Sequence, residues 1–376
     1  MRPRVLHVAQ IDLSPESGMG RVAWHWREAF EERGYDFIHI GPAETGRPVH
    51  PALFPWAAWQ CFRRLRIRPA VVLVHEPAGL PFVLARHRST IVFSHGLERR
   101  GWEVALRMTA AGGVPIRLRS RLLFPLWRLG QADLALRWAR AVLVLNNDDL
   151  ACVRSRYRRS PEDVHVFQNG VHLQAPQAAG HPPAGNPQAV LFIGTWMPRK
   201  GVRTLIEAAG LLRRQGIAPR FILAGTGLDA PEVLRDWPEE LRPSLSVIPR
   251  FTPAEEISLY SLADVFVLPS FFEGQPLALL QAMAAGCCCI ASEIGGSRDL
   301  IRHRETGLLH PAGDAERLAA CIAESLADPQ LRSDLGRNAR LAVAQRTWEA
   351  AARDVVDFVE RALGISGFRP EGDLQP

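Results

Sequence analysis

Three turns in the second half of the chain collect residue types that handle phosphates and sugars. Gly194-Thr195-Trp196-Met197-Pro198-Arg199-Lys200-Gly201 follows an apolar run and opens a helical one. Two adjacent cations there could neutralise a pyrophosphate through charge-assisted hydrogen bonds. Lys200 is the only lysine among 45 Lys+Arg residues. A solvated basic helix start is the plainer reading, but cations are disfavoured at helix N-termini. Ser270-Phe271-Phe272-Glu273-Gly274-Gln275-Pro276-Leu277 puts the Glu273 carboxylate on a loop after an apolar run, with Gln281 eight residues further on. Both could face one site; a capping loop with a surface glutamate is the alternative. Ile294-Gly295-Gly296-Ser297-Arg298-Asp299 is a second anion cradle, or a helix start capped by Ser297, and the two are compatible. Arg250, after a further apolar run, is counted with the same set.

The first half is less explicit. Ser17-Gly18-Met19-Gly20 joins the first apolar run to the first helical one, where glycines let backbone amides approach a phosphate or sugar. His95-Gly96 sits at the end of another apolar run, although a lone histidine is more often structural. His25, His39, His50, His75 and His87 look scattered and carry no metal spacing. Asp-x-Asp, GxSxG and P-loop patterns are missing from the sequence, so a metal-held nucleotide diphosphate of the Asp-x-Asp style is not expected, nor is a resident cofactor. Residues 99–140 hold nine arginines interleaved with Trp102, Leu106, Leu118, Leu122, Leu126, Trp127 and Trp138. Such a mixture suits a helix on anionic lipid; nucleic acid and an ordinary amphipathic helix are the alternatives.

The elements that must carry these residues alternate. Val5–Ala9, Asp36–Ile40, Ala70–Val74, Thr90–Phe93 and Ala141–Leu145 read as buried strands of the first half, and Arg21–Arg33 as a helix with Gly34 at its C-terminal cap. In the second half the strands are Ala189–Ile193, Arg220–Ala224, Ser246–Ile248, Val265–Leu268 and Cys287–Ala291. Their helices are Val202–Gln215, Pro253–Leu262, Pro276–Ala285 and Asp314–Ala327. Strands alternating with helices argue for parallel sheets. Residues 174–188 are rich in proline and glycine and read as a linker. The expectation is an α/β chain of two doubly wound domains: 1–175, a linker at 176–188, 189–348, and a helix and tail at 349–376.

Bulk properties agree. The chain has 376 residues, 47% hydrophobic and 22% charged, the balance of a globular protein with room for two domains. No apolar run reaches the roughly 20 residues of a membrane span, and five apolar residues behind two arginines are too few for a secretory leader, so an intracellular protein is expected. Six cysteines, three of them consecutive at Cys287 to Cys289, suggest buried strand positions rather than disulfides. Residues 1–175 hold 25 Lys+Arg against 15 Asp+Glu, net +10; residues 176–376 hold 20 against 24, net −4.

The second half resembles the donor half of a retaining, GT-B-type glycosyltransferase of family 4. The likeness rests on Phe192-Ile193-Gly194 through Lys200-Gly201; Leu223-Ala224-Gly225-Thr226-Gly227; Ala263-Asp264-Val265 through Glu273-Gly274 to Ala282-Met283-Ala284-Ala285-Gly286; and Gly295-Gly296 with Thr306-Gly307-Leu308-Leu309. Asn169-Gly170-Val171, Gly18-Met19-Gly20 and His95-Gly96 are similar to the family's weaker marks.

This resemblance implies two Rossmann-like domains facing across a cleft, the last helix crossing back to the first. Its implied activity is transfer of a hexosyl group from a nucleoside diphosphate sugar to a glycan or lipid-linked acceptor, without a metal. Lys200 and Arg199 would hold the phosphates. Glu273 would contact the donor sugar, backbone near Gln275, Pro276 and Leu277 would meet sugar or phosphate, and His95 would sit beside the transferred sugar. The arginine excess of residues 99–140 beside tryptophans and leucines suggests a lipid-linked acceptor at an anionic cytoplasmic membrane face, as in bacterial surface polysaccharide assembly, and no nucleic acid partner is expected. Two positions depart from the pattern. Thr195 replaces an arginine, and Gln281 replaces the second glutamate of a pair, so its amide accepts from a ribose without charge assistance. A catalytically impaired nucleotide-sugar-binding protein and a GT-B epimerase are the rival readings.

Overall fold

The structure, a computed structural model, describes residues 2–16, 18–46, 51–85, 88–113, 115–172 and 188–366. The chain divides into two compact units. One comprises residues 1–170 with 348–376, the other residues 171–347. The proposed linker lies outside the described residues except for Gln188, and so do Ser17, His50 and His87.

The first unit is built on β1 (Arg4–Val8), β2 (Asp36–Ile40), β3 (Val71–His75), β4 (Thr90–Phe93), β5 (Ala141–Val144) and β6 (Val164–Val166). They form one parallel sheet in the order β2-β1-β3-β4-β5-β6. Both faces are covered by helices, which is why β3, β4 and β5 are buried throughout rather than alternating. The first helix spans Gly18–Glu32, three residues earlier than its apolar periodicity indicates. Gly18, Met19 and Gly20 are therefore its first turn and not a loop. Gly34 closes the following turn at φ +86°, a conformation that glycine adopts without strain.

A last helix, Trp348–Leu363, also belongs to this unit. It buries Trp348, Ala352, Val355, Val356, Phe358 and Val359 along one stripe. Trp348 stacks on His25 at 4.8 Å. Arg33 reaches Glu360 at 2.7 Å and Asp357 at 2.6 Å, and the Tyr35 hydroxyl donates to Glu360. The return of the C-terminal helix to the first unit is thus present.

The second unit holds β7 (Ala189–Ile193), β8 (Arg220–Ala224), β9 (Leu245–Ile248), β10 (Val265–Leu268), β11 (Cys288–Ser292) and β12 (Leu308–His310). Its parallel sheet runs β12-β11-β10-β7-β8-β9. The chain starts in the middle and builds outwards on both sides, so β7 and β10, distant in sequence, pair directly with Val190 opposite Val265. Cys287, Cys288 and Cys289 are buried at the entry to β11, where desolvation pushes the Cys287 thiol up to about 12 and Cys288 to about 11. Among the described residues no helix is long and apolar enough to cross a membrane.

Candidate functional site

In a parallel sheet the turns after the strands all emerge at one edge, and ligands bind there in doubly wound folds. The second unit gathers several such turns. The turn after β7 is a 3₁₀ segment, Pro198–Lys200, followed by Gly201 in the left-handed region and the helix Val202–Arg214. A side chain at 201 would place a Cβ 1.8 Å from the Pro269 carbonyl oxygen. Only glycine lets the β7 turn lie directly on the turn after β10, and the Phe271 N–H donating to the Arg199 carbonyl at 2.8 Å seals the contact.

That approach brings the charges together. Lys200 Nζ donates to Glu273 Oε1 at 2.7 Å. The Ser270 hydroxyl donates to the same oxygen at 2.7 Å. Arg199 Nη1 donates to the Phe272 carbonyl at 2.8 Å and lies 3.8 Å from Glu273 Oε2. Glu273 is 8% exposed, whereas the side chain of Arg199 is 40% exposed. The two cations expected at the phosphate and the carboxylate expected at the sugar thus stand side by side. Lys200 and Glu273 form one ion pair, and the more open cation is Arg199.

The neighbouring turns pack against one another. Gly295 and Gly296 open a short helix, Gly295–Arg298, after β11; a Cβ on Gly296 would meet the Gly274 carbonyl oxygen at 2.3 Å and Pro276 Cδ at 3.1 Å. Gln275 is buried, and Pro276 caps the helix Leu277–Ala284. After β8, Gly225 and Gly227 adopt φ +66° and +71°, and the Thr226 carbonyl accepts from the Trp196 N–H. Exposed Thr195 faces Gly227, 3.7 Å from where its Cβ would stand. Arg250 is exposed beyond β9, beside Phe251, whose ring lies over Gly225.

Gln281 is buried, and its Nε2 donates to the His172 carbonyl at 3.2 Å. The Glu273 carboxylate is turned towards the β7 turn, where Lys200 holds it.

In the first unit, His95 is not a lone histidine. Its Nε2 lies 3.0 Å from His75 Nδ1. His75 Nε2 is 2.9 Å from His7 Nε2, and His7 Nδ1 is 2.8 Å from His39 Nδ1. His39 Nε2 donates to the Ile11 carbonyl at 3.0 Å. Desolvation keeps all four below the usual histidine range, with His95 pushed down to about 3. Sequence reasoning missed this line of rings, because strand register decides it. Glu76, the residue after His75, accepts from the Ser94 hydroxyl at 2.5 Å, and desolvation raises its carboxyl to about 8. Among the described residues no group of His, Cys, Asp and Glu is placed to hold a metal.

The arginine-rich stretch is four short elements rather than one helix: Glu98–Ala110, Leu118–Leu123, a π-helical turn Phe124–Leu129, and Gly130–Trp138. Arg99 pairs with Asp133, Arg100 with Asp148 and Asp149, Arg128 with Glu98, and Arg140 with Asp163. Four of the nine arginines thus serve internal ion pairs. Arg107, Arg117, Arg119, Arg121 and Arg137 are exposed, and beside them stand Leu118, Leu122, Leu123, Leu126 and Trp127 with exposures of 46–78%.

Comparison with known proteins fits this geometry. The family model described as glycosyl transferases group 1 matches residues 175–342, nearly all of the second unit. A D-inositol 3-phosphate glycosyltransferase of Thermobispora bispora is 32% identical over 55% of this chain and 52% of its own length. An amylovoran biosynthesis glycosyltransferase of Erwinia amylovora is 32% identical over 43% of this chain and 41% of its own. The chain spans about half the length of the curated relatives it matches. Among solved structures, a sucrose-phosphate synthase from Thermosynechococcus elongatus is similar with TM-score 0.77 at 20% identity, over 96% of this chain and 100% of that one. WaaG, a glycosyltransferase involved in lipopolysaccharide biosynthesis, gives 0.73 at 15% identity over 94% and 99%. The fold is therefore of the GT-B class, with two Rossmann-like units.

Proposed function

We propose that this chain is a retaining glycosyltransferase of family 4. It moves a hexosyl group from a nucleoside diphosphate sugar to a glycan or lipid-linked glycan in bacterial surface polysaccharide assembly. The observation that carries the reading is the gathering of Arg199, Lys200 and Glu273 where the turns after β7 and β10 touch. The group 1 match over the same residues supports it. Departure of a sugar from a nucleotide leaves a diphosphate with an extra negative charge. Arg199, Lys200 and the N–H groups near Gly295 and Gly296 stabilise that charge in this reading. Glu273, its carboxylate oriented by Ser270 and Lys200, then accepts from donor-sugar hydroxyls. A thermal-shift screen of nucleotide sugars, followed by product analysis of the anomeric configuration with the best donor, tests it. Stabilisation by one nucleotide sugar and a product of unchanged configuration are expected. Binding without transfer to any acceptor would favour the impaired reading that Thr195 and Gln281 keep open, and interconversion of the sugar without an acceptor would favour the epimerase.

The acceptor side rests on a separate observation. The exposed leucines and Trp127 at 118–127, flanked by Arg117, Arg119 and Arg121, form an amphipathic surface suited to an anionic cytoplasmic membrane face. Each engaged arginine contributes about 1 kcal/mol, screened within a Debye length of about 10 Å at 0.1 M salt. Co-sedimentation with anionic vesicles is expected, weakening with salt and on changing the three arginines to glutamine. No sedimentation at low salt would remove the membrane from the reading and leave a water-borne acceptor.

A further inference from the structure

Four of the first unit's histidines, His7, His39, His75 and His95, stand in one hydrogen-bonded line. Their alignment is a consequence of register. His7 stands opposite His39 across β1 and β2. On the other side His7 stands opposite Leu73, and His75 comes two residues later, so it emerges on the same face. His75 in turn stands opposite Phe93, and His95 comes two residues after that. The line of imidazoles therefore steps across four strands towards the carboxyl edge of the sheet. It is walled by Trp26, Phe93 and Phe37, and His7 and His75 are buried.

The anchor at one end sets every proton in the line. A carbonyl oxygen only accepts, so His39 must carry its proton on Nε2 to bond Ile11. A neutral His39 then has a bare Nδ1, which requires a proton on His7 Nδ1. His7 Nε2 is bare and accepts from His75 Nε2. His75 Nδ1 is bare and accepts from His95 Nε2. One arrangement of four neutral rings satisfies all four bonds, and in it His95 presents a bare Nδ1.

We propose that His39, His7 and His75 are positioning residues of a proton relay that fixes His95 as a proton and hydrogen-bond acceptor at Nδ1, for a ligand hydroxyl, and carries an acquired proton to His39. A proton gained at His95 Nδ1 is balanced by release of the Nε2 proton to His75 Nδ1. His75 passes its Nε2 proton to His7 Nε2, and His7 passes its Nδ1 proton to His39 Nδ1. Each transfer breaks one N–H bond and forms one, and a single positive charge moves from His95 to His39. The groups that face His39 are His7, Asp12 and Glu44, and the two carboxylates favour the charge there. Gly41 keeps this end open, because a Cβ at 41 would stand 2.5 Å from His39 Nε2 and 2.7 Å from the Ile11 oxygen.

Nitrogen-15 correlation spectra of the full chain labelled at histidine test the proposal, with His95 signals assigned by their loss in His95→Gln. In the wild type at neutral pH, His95, His75 and His39 are expected as Nε2–H tautomers and His7 as Nδ1–H. On acidification the doubly protonated signature is expected first at His39. His39→Leu removes the anchor, so the line can run in either direction and His95 should become a mixture of tautomers. His39→Gln keeps a donor for Ile11 and an acceptor for His7, and should restore the single tautomer. A proton on His95 Nδ1 in the wild type, first protonation at His95, or an unchanged His95 tautomer in a folded His39→Leu chain would each overturn the relay. The wild-type spectrum decides the matter even if the leucine variant does not fold.

Discussion

Lys200 and Glu273 constrain each other, and that changes what a substitution at either should do. With the carboxylate in place, the ammonium donates to Glu273, and Ser270 shares the same oxygen. Glu273→Gln removes the counter-charge and leaves Lys200 to phosphate. Turnover should fall sharply while nucleoside diphosphate affinity holds or rises, by roughly 1 kcal/mol. A parallel loss of nucleotide affinity in a titration would mark Glu273 as an anchor of the loop alone. At Gln281 the motif and the structure point in opposite directions. A glutamate there would complete the usual pair, but the amide donates to the His172 carbonyl in a buried place. Gln281→Glu should thus lose about 1–3 kcal/mol of stability, the cost of a buried acceptor facing an acceptor, and gain no affinity. Tighter nucleotide binding with an unchanged melting temperature would contradict this. The reactive residue types were legible in the sequence because loops after apolar runs expose them. Their partners were not, because pairing depends on which strands lie side by side.

At the level of elements, the turns do most of the positioning. β7 and β10 are neighbours, so the turn after each rests on the other, and Gly201 is where the backbones meet. Gly201→Ala adds both a positive-φ strain and a clash with the Pro269 carbonyl. A loss of about 3 kcal/mol or more in thermal unfolding is expected, together with weaker nucleotide binding. Little change in either would mean that the two turns separate freely. Most strands were readable from sequence as short apolar runs, because both faces of these sheets are covered. β6 and β12, Val164–Val166 and Leu308–His310, were missed; each includes a histidine, which breaks the apolar run. The arginine-rich segment misled for a different reason. Composition shows a mixture of arginine and leucine but not that Glu98, Asp133, Asp148, Asp149 and Asp163 come back to meet four of the arginines.

For the whole molecule, two opposed effects set the dependence of stability on pH. The relay histidines stay neutral when folded, His95 down to about 3, against an ordinary value of 6.5. Unfolding therefore takes up protons below pH 6.5, and stability should be lost as the pH falls from there towards 3. Glu76, raised to about 8 from 4.5, works the other way: its neutral form is favoured, and stability from it is lost as the pH rises between those values. Melting temperatures across pH should show His95→Gln with a shallower acid limb, by up to about 1.4 kcal/mol per pH unit. An identical limb would mean that His95 titrates normally in the folded chain. The two-unit α/β plan was legible from the alternation of elements, whereas the histidine line was not, since it needs four strands in register. The function proposed for the second unit depends above all on Lys200, at the turn after β7, holding the diphosphate of a donor. Calorimetric titration of nucleoside diphosphates into the wild type and Lys200→Ala tests it most directly. A charge-assisted contact contributes roughly 1.5–3 kcal/mol, so binding by the variant is expected to be about 10–150-fold weaker. Equal affinity in the two proteins, or no binding of any nucleoside diphosphate by the wild type, would contradict it.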